Sequence, residues 1–172
     1  MENSGFLLLR NGTITMKRNL KFIVLGGNGF IGYNLSRYIL AKGHDITILD
    51  HGECRGELKE IHYEQVDFFD DDKLYNALLD KDIIIHAIST VNPGNSEENY
   101  MRGYSKDFVQ TIKLCSWIKN TDKKLIFISS GGTIYGEHAY QPLSEDVTPK
   151  PINHYANIKL SIENALRIFR IQ

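Results

Sequence analysis

An α/β fold built on a doubly wound parallel sheet is predicted by three features of this sequence. Short β-branched and apolar runs stop abruptly at glycine or aspartate, amphipathic helical stretches separate them, and a glycine cluster marks the first strand-to-helix turn.

The first run, KFIVL at 21–25, halts at the glycines, as expected of a strand buried on both faces. Ile31, Leu35, Tyr38 and Ile39 then recur at helical spacing as one apolar face, and Gly43 supplies the stop. A second strand, ITIL at 46–49, ends on Asp50; a third, 61–66, ends on Asp67. A helix over about 72–80 turns Leu74, Ala77 and Leu78 inward, and IIIHAI at 83–88 makes the fourth strand. After a Pro93-Gly94 loop, a long helical stretch over about 97–120 leads to a fifth strand, LIFIS at 125–129. The last helix, about 154–169, carries Ile158, Ile162, Ala165, Leu166 and Phe169 on one stripe. Strands alternating with helices imply parallel pairing through right-handed crossovers, with helices on both faces, hence a Rossmann-type architecture.

At 172 residues with 42% hydrophobic and 24% charged side chains, the chain is the size of one domain with a single core. Twenty basic residues against 21 acidic ones leave no overall field to draw it to nucleic acid or an anionic membrane, so a small-molecule partner is expected. Cys54 and Cys115 lie far apart outside any C-x-x-C pair, which fits a reducing cytoplasmic setting. The six histidines show no metal-ligand spacing, and no metal is expected. Residues 1–15 contain an apolar run of only Phe6 to Leu9, too short for a signal-peptide core or a membrane span. They read as a flexible arm before a domain over 16–172, with Met16 as the expected natural start.

GGNGFIG at 26–32 admits two registers: G-x-G-x-x-G from Gly27, the dinucleotide-binding fingerprint, and G-x-x-G-x-x-G from Gly26. Either lets the backbone approach a pyrophosphate whose charge meets exposed N–H groups and the helix dipole. Asp50, eighteen residues after Gly32, stands where a carboxylate accepts hydrogen bonds from ribose hydroxyls and repels a 2′-phosphate. This favours NAD over NADP, although Arg55 nearby offers a phosphate counter-charge. In HYANIK, Tyr155 and Lys159 are four residues apart on one helical face, and a cation beside a phenol favours the phenolate needed for acid/base work. Tyr38 and Lys42 repeat the spacing, but Tyr38 on the core-facing stripe reads as packing with a solvated lysine.

Taken together, several stretches resemble the extended short-chain dehydrogenase/reductases, and within them the NAD-dependent epimerase/dehydratase family. They are Gly26-x-x-Gly29-Phe30-Ile31-Gly32, Asp67 and Asp70 in VDFFD, His86-Ala87, Ser129-Ser130 before Ile134-Tyr135-Gly136, PLSED at 142–146, and Tyr155-Ala156-Asn157-Ile158-Lys159. The resemblance covers about residues 20–170 and selects the Gly26, Gly29, Gly32 register. It implies that Phe30 and Ile31 give N–H groups to the pyrophosphate, that Asp50 holds the adenosine ribose, and that Asp67 with Phe68 flanks adenine. Ala87 and Ile88 would line the path to nicotinamide; Tyr155 would be the acid/base, with Lys159 lowering its pKa and holding the nicotinamide ribose. The implied substrate is a nucleotide sugar, a UDP-sugar as in UDP-glucose 4-epimerases, and the implied assembly a homodimer through the long and last helices.

Three departures stand out. Gly131 occupies the place of the family's usual serine or threonine, so Ser130 or Thr133 would supply that hydroxyl, or merely bond local backbone. Gly132-Thr133 lacks the Asp-Glu pair usual in dehydratases, which favours an epimerase. Asp107 replaces a usual asparagine; its charge would perturb the active-site loop, or, on the blander reading, it is an exposed aspartate. Family members also continue into a substrate-binding lobe, expected to be absent from this chain, which would leave a dinucleotide-binding module without turnover as the competing reading.

Overall fold

The computed structural model describes residues 6–10, 13–17, 19–54, 61–137 and 142–170. An antiparallel ribbon, β1 (Phe6–Arg10) with β2 (Thr13–Lys17), precedes the main sheet and is separate from it. β3 (Lys21–Leu25) then opens the domain, followed by α1 (Phe30–Ala41), β4 (Asp45–Asp50), β5 (His62–Gln65), α2 (Asp71–Leu78) and β6 (Ile83–His86). α3 (Ser96–Arg102), a π-helical segment (Gly103–Phe108) and α4 (Val109–Ile118) form one long helical run. β7 (Lys124–Phe127), the short α5 (Gly131–Ile134) and α6 (His154–Phe169) complete the chain.

Five parallel strands order as β5-β4-β3-β6-β7. The chain winds outward from β3 through β4 to β5, then crosses back to β6 on the other side, so the crevice between β3 and β6 is the switch point where ligands of such sheets sit. The period of two is visible in β3 itself. Ile23 and Leu25 join a core with α2, α4 and Leu166 of α6, whereas Val24 joins Ile39, Ile46, Ile48 and Ile85 beneath α1. Leu74, Ala77 and Leu78 are buried as the helical spacing predicted. Asp70 caps α2 by accepting from the Lys73 N–H at 3.2 Å, and Asn153 caps α6 by accepting from the Ala156 N–H at 2.8 Å.

The α1 stripe differs from expectation. Ile31 and Tyr38 are exposed, and the contact line runs through Gly32, Ser36 and Ile39. Small residues at 32 and 36 let the helix backbone approach the sheet, which rotates the larger side chains outward. Tyr38 therefore packs under its own Lys42, whose Nζ lies 5.3 Å from the ring centroid, on the surface and not in the core.

Candidate functional site

Both glycine registers prove necessary, for different reasons. Gly26 adopts φ +83°, which favours glycine. A Cβ on Gly32 would stand 2.3 Å from the Gly26 carbonyl oxygen, and one on Gly27 would stand 2.4 Å from Ile48. Gly29 begins α1 with no side-chain cap, and Phe30 and Ile31 of the first turn are exposed. The resulting cradle, with uncapped N–H groups at a helix start, fits a pyrophosphate.

Asp50 at the end of β4 is buried, yet its two oxygens serve the neighbouring loops. Oδ2 accepts from the Asn28 N–H at 3.0 Å and Oδ1 from the Gly52 N–H at 3.1 Å. A carboxylate has further lone pairs for two ribose hydroxyls. Sequence reasoning missed the latch that fixes this corner. The Asn28 side chain donates to the Tyr63 hydroxyl at 2.8 Å, and that hydroxyl donates to the Gly52 carbonyl at 2.6 Å. Burial, then the Asp50 charge, pushes the Tyr63 phenol up to about 12, so it stays a donor. Asn28 stood as an unassigned position inside the glycine motif, and Tyr63 carried no signal. Arg55 lies outside the described residues.

A cavity of about 470 Å³ opens at the switch point. Gly26, Gly29, Asp50, Asp67, Phe68, Ala87 and Ile88 all line it, as do Ser89, Thr90 and the unforeseen Arg102. Phe68 is itself a core side chain, its ring 5.0 Å from that of His86, so it presents its backbone edge more than its face. Asp67 accepts from the Phe69 N–H at 3.0 Å and remains exposed.

Beneath this wall His86 is fully enclosed. Its Nδ1 accepts from the Ile88 N–H at 3.3 Å, which leaves Nε2 to donate to the Thr111 hydroxyl at 2.9 Å; that hydroxyl donates to the Asp107 carbonyl at 2.6 Å. Burial, reinforced by the Lys159 charge, lowers His86 to about 3. An unfolded histidine protonates near ~6.5, so below that pH the unfolded state binds the extra proton first and stability falls as pH drops toward 3. The slope approaches ~1.4 kcal/mol per pH unit. Thermal unfolding between pH 7 and 4 should show this loss, and His86→Gln, which cannot titrate, should flatten it; an unchanged slope would refute the assignment.

Tyr155, Lys159, Ser130 and Thr133 gather one strand further along, at the end of β7, and are not part of the cavity wall around the glycines. The Tyr155 ring packs against the cluster of Val91, Ile158 and Ile162. Lys159 is buried, donates to the Ile128 carbonyl at 3.0 Å, and sits 4.6 Å from the Phe127 ring centroid and 5.6 Å from that of Tyr155. Burial pushes its ammonium down to about 8, while the Asp107 carboxylate pulls the other way. The Ser130 hydroxyl accepts from the Thr133 hydroxyl at 2.9 Å, so the two candidate substitutes for the residue at Gly131 bond each other. Asp107 is 4% exposed, against the blander of its two readings, a surface aspartate.

A model of the NAD dependent epimerase/dehydratase family matches residues 22–172. The chain belongs to this family. NAD is its cofactor, in accord with the cradle and the carboxylate already described. This epimerase-family chain is 28% identical over 160 residues to the UDP-glucose 4-epimerase of Bacillus subtilis, covering 86% of this chain and 47% of that protein. With the UDP-glucose 4-epimerase of Halalkalibacterium halodurans it shares 28% over 148 residues, covering 84% and 44%. The crystal structure of Thermus thermophilus UDP-glucose 4-epimerase in complex with NAD superposes with a TM-score of 0.79 at 25% identity, over 87% of this chain and 50% of that one. The chain thus spans about half the length of the curated relatives it matches. Among the described residues, no helix is long and apolar enough to cross a membrane.

Proposed function

We propose that this chain is the cofactor-binding half of a nucleotide-sugar 4-epimerase acting on a UDP-sugar. The single observation that carries this reading is the order along the strand ends: the glycine cradle, the Asp50 carboxylate and the Ala87–Thr90 wall share one cavity over β4, β3 and β6, and the Tyr155/Lys159 pair lies outside that wall beside Phe127 of the neighbouring strand β7. The names of the relatives support the substrate class.

NAD, when bound, supplies hydride acceptance and return; the chain's own residues bind, orient and move the proton. Uncapped N–H groups of Phe30 and Ile31 hold the pyrophosphate and Asp50 accepts from the adenosine ribose. Tyr155 takes the proton of the sugar hydroxyl as it is oxidised and returns it as the keto sugar is reduced on its other face. Lys159, with its charge held close to the Tyr155 ring, stabilises negative charge on that oxygen and reaches the nicotinamide ribose. Ser130 or Thr133 supplies the hydroxyl that steers the sugar. The cytoplasm suits Cys54 and Cys115, which are not joined in a disulfide. Exposed Met101 and Val109 on the long helical run and Ile168 on α6 support a homodimer through those helices.

Gly131 favours a second reading, a dinucleotide-binding module without turnover. NAD titration, together with interconversion of UDP-glucose and UDP-galactose by this chain and by any longer reading frame, separates the two. Binding with turnover supports the epimerase; binding with none in either form supports the module; absence of NAD binding overturns both. Asp50→Ala should weaken NAD by roughly tenfold or more in the same titration, because two charge-assisted hydrogen bonds are lost with the loop anchor.

A further inference from the structure

Asp107 has no assigned task, and it is buried. It lies in the π-helical segment, where a bulge in the helix re-aims side chains. The packing there is close: a Cβ on Gly103 would stand 2.4 Å from Ile158 of α6. Asp107 Oδ2 accepts from the Thr90 N–H at 2.8 Å and competes at 2.9 Å with the Val91 carbonyl, at 2.8 Å, for the single proton of the Ser89 hydroxyl; Ser89 and Thr90 both stand in the cavity wall. Its other oxygen, Oδ1, is screened from solvent and has no hydrogen-bond partner. A buried carboxylate oxygen without a donor is costly unless a cation balances it.

A counter-charge would have to come from an element packed against this segment. His86 of β6 is held neutral by its two hydrogen bonds. Arg102 at the end of α3 is exposed. Tyr155 carries no positive charge. Lys159 of α6 is the one buried lysine or arginine among the described residues; it is 4% exposed, has a neutral acceptor in the Ile128 carbonyl, and feels the charge of the Asp107 carboxylate. The negative and positive charges are thus buried on two helices packed against each other.

We propose that Asp107 is a positioning residue for Lys159, a buried counter-charge that holds the amine in its ammonium form and so sets the charge presented to Tyr155 and the cofactor. The consequence for Tyr155 rests on the epimerase reading; the coupling between the two charges does not. The asparagine usual in relatives could make the same hydrogen bonds but could not supply the charge.

Asp107→Asn isolates that charge, since its amide oxygen can still accept from Ser89 and Thr90. In the 172-residue chain with ¹³Cε-labelled lysine, the Lys159 resonance, assigned by its loss in Lys159→Met, should titrate about one pH unit or more lower in Asp107→Asn. Asp107→Glu should move the midpoint back toward the parent value. An unchanged midpoint in folded Asp107→Asn overturns the proposal. Should that variant fail to fold, the reciprocal measurement decides, because coupling is equal from either side: the Asp107 carboxyl should titrate higher in Lys159→Met, and no rise overturns the proposal. Neither readout needs NAD or turnover, so the epimerase reading and this coupling fail separately. In a form that turns over, the alkaline limb of the kcat profile should move down with the amine in Asp107→Asn.

Discussion

Gly32→Ala should weaken NAD binding by roughly 100-fold in a chain that still folds. The added Cβ would stand 2.3 Å from the Gly26 carbonyl oxygen and 2.9 Å from the Gly27 Cα, both backbone atoms that cannot swing aside. That same carbonyl oxygen accepts from the Gly29 N–H at 3.1 Å, so relieving the clash opens the turn from which the first N–H groups of α1 project. Overpacking of this kind costs about 1–3 kcal/mol, and because the strain falls on the phosphate cradle, NAD affinity should fall by roughly 100-fold. Gly43→Ala is the control. Its φ of +77° makes alanine strained, but nothing lies within 4 Å of the added carbon, and it is remote from the cradle. That variant should lose about 1 kcal/mol of stability and bind NAD as the parent does. Calorimetric titration of both variants checks the pair; equal NAD binding by Gly32→Ala and its parent would show that the cradle does not hold the pyrophosphate.

Tyr155→Phe carries the second large effect. Its ring is held by Val91, Ile158 and Ile162, contacts that phenylalanine keeps, so the fold and the place of the ring survive while the hydroxyl goes. With the proton acceptor lost, turnover of a UDP-sugar should fall by about 10²–10⁴-fold in whichever form of the protein catalyses it, with NAD affinity nearly unchanged. A variant that retains turnover would remove Tyr155 from the reaction and leave the cofactor site intact. Fluorescence titration of NAD beside the epimerisation assay distinguishes these outcomes.

Much of the cofactor site could be read from residue order. Of the residues expected around one ligand, Gly26, Gly29, Asp50, Asp67, Phe68, Ala87 and Ile88 line one cavity, whereas Phe30, Ile31, Gly32, Tyr155 and Lys159 are not in its wall. Each lies at or just beyond the end of a strand, and in a parallel sheet those ends share one edge, so naming the strands locates the residues. The catalytic candidates were less legible. Helical spacing puts Tyr155 and Lys159 on one face, but not Lys159 at 3.0 Å from the Ile128 carbonyl, nor Ser130 and Thr133 bonded to each other.

Two positions depart from the simplest helical reading. Tyr38 was expected inside and is exposed, and Asp107, whose blander reading was a surface aspartate, is buried. Periodicity gives which residues share a face, not how closely that face approaches its neighbour. At α1, Gly32 and Ser36 bring the backbone close and turn Tyr38 outward. In the long helical run, the π-helical segment shifts the face by a fraction of a turn and carries Asp107 inward.

By itself, then, the sequence determined the parallel sheet, its helices, the glycine cradle and the carboxylate at its rim, because these follow from local geometry: period, chain reversal at glycine, and the ends of strands. Only the tertiary structure decided which charges are buried together. A carboxylate from the π-helical segment and an amine from α6 are far apart in the chain, and the burial of both depends on helix packing and on a bulge that no residue pattern announces.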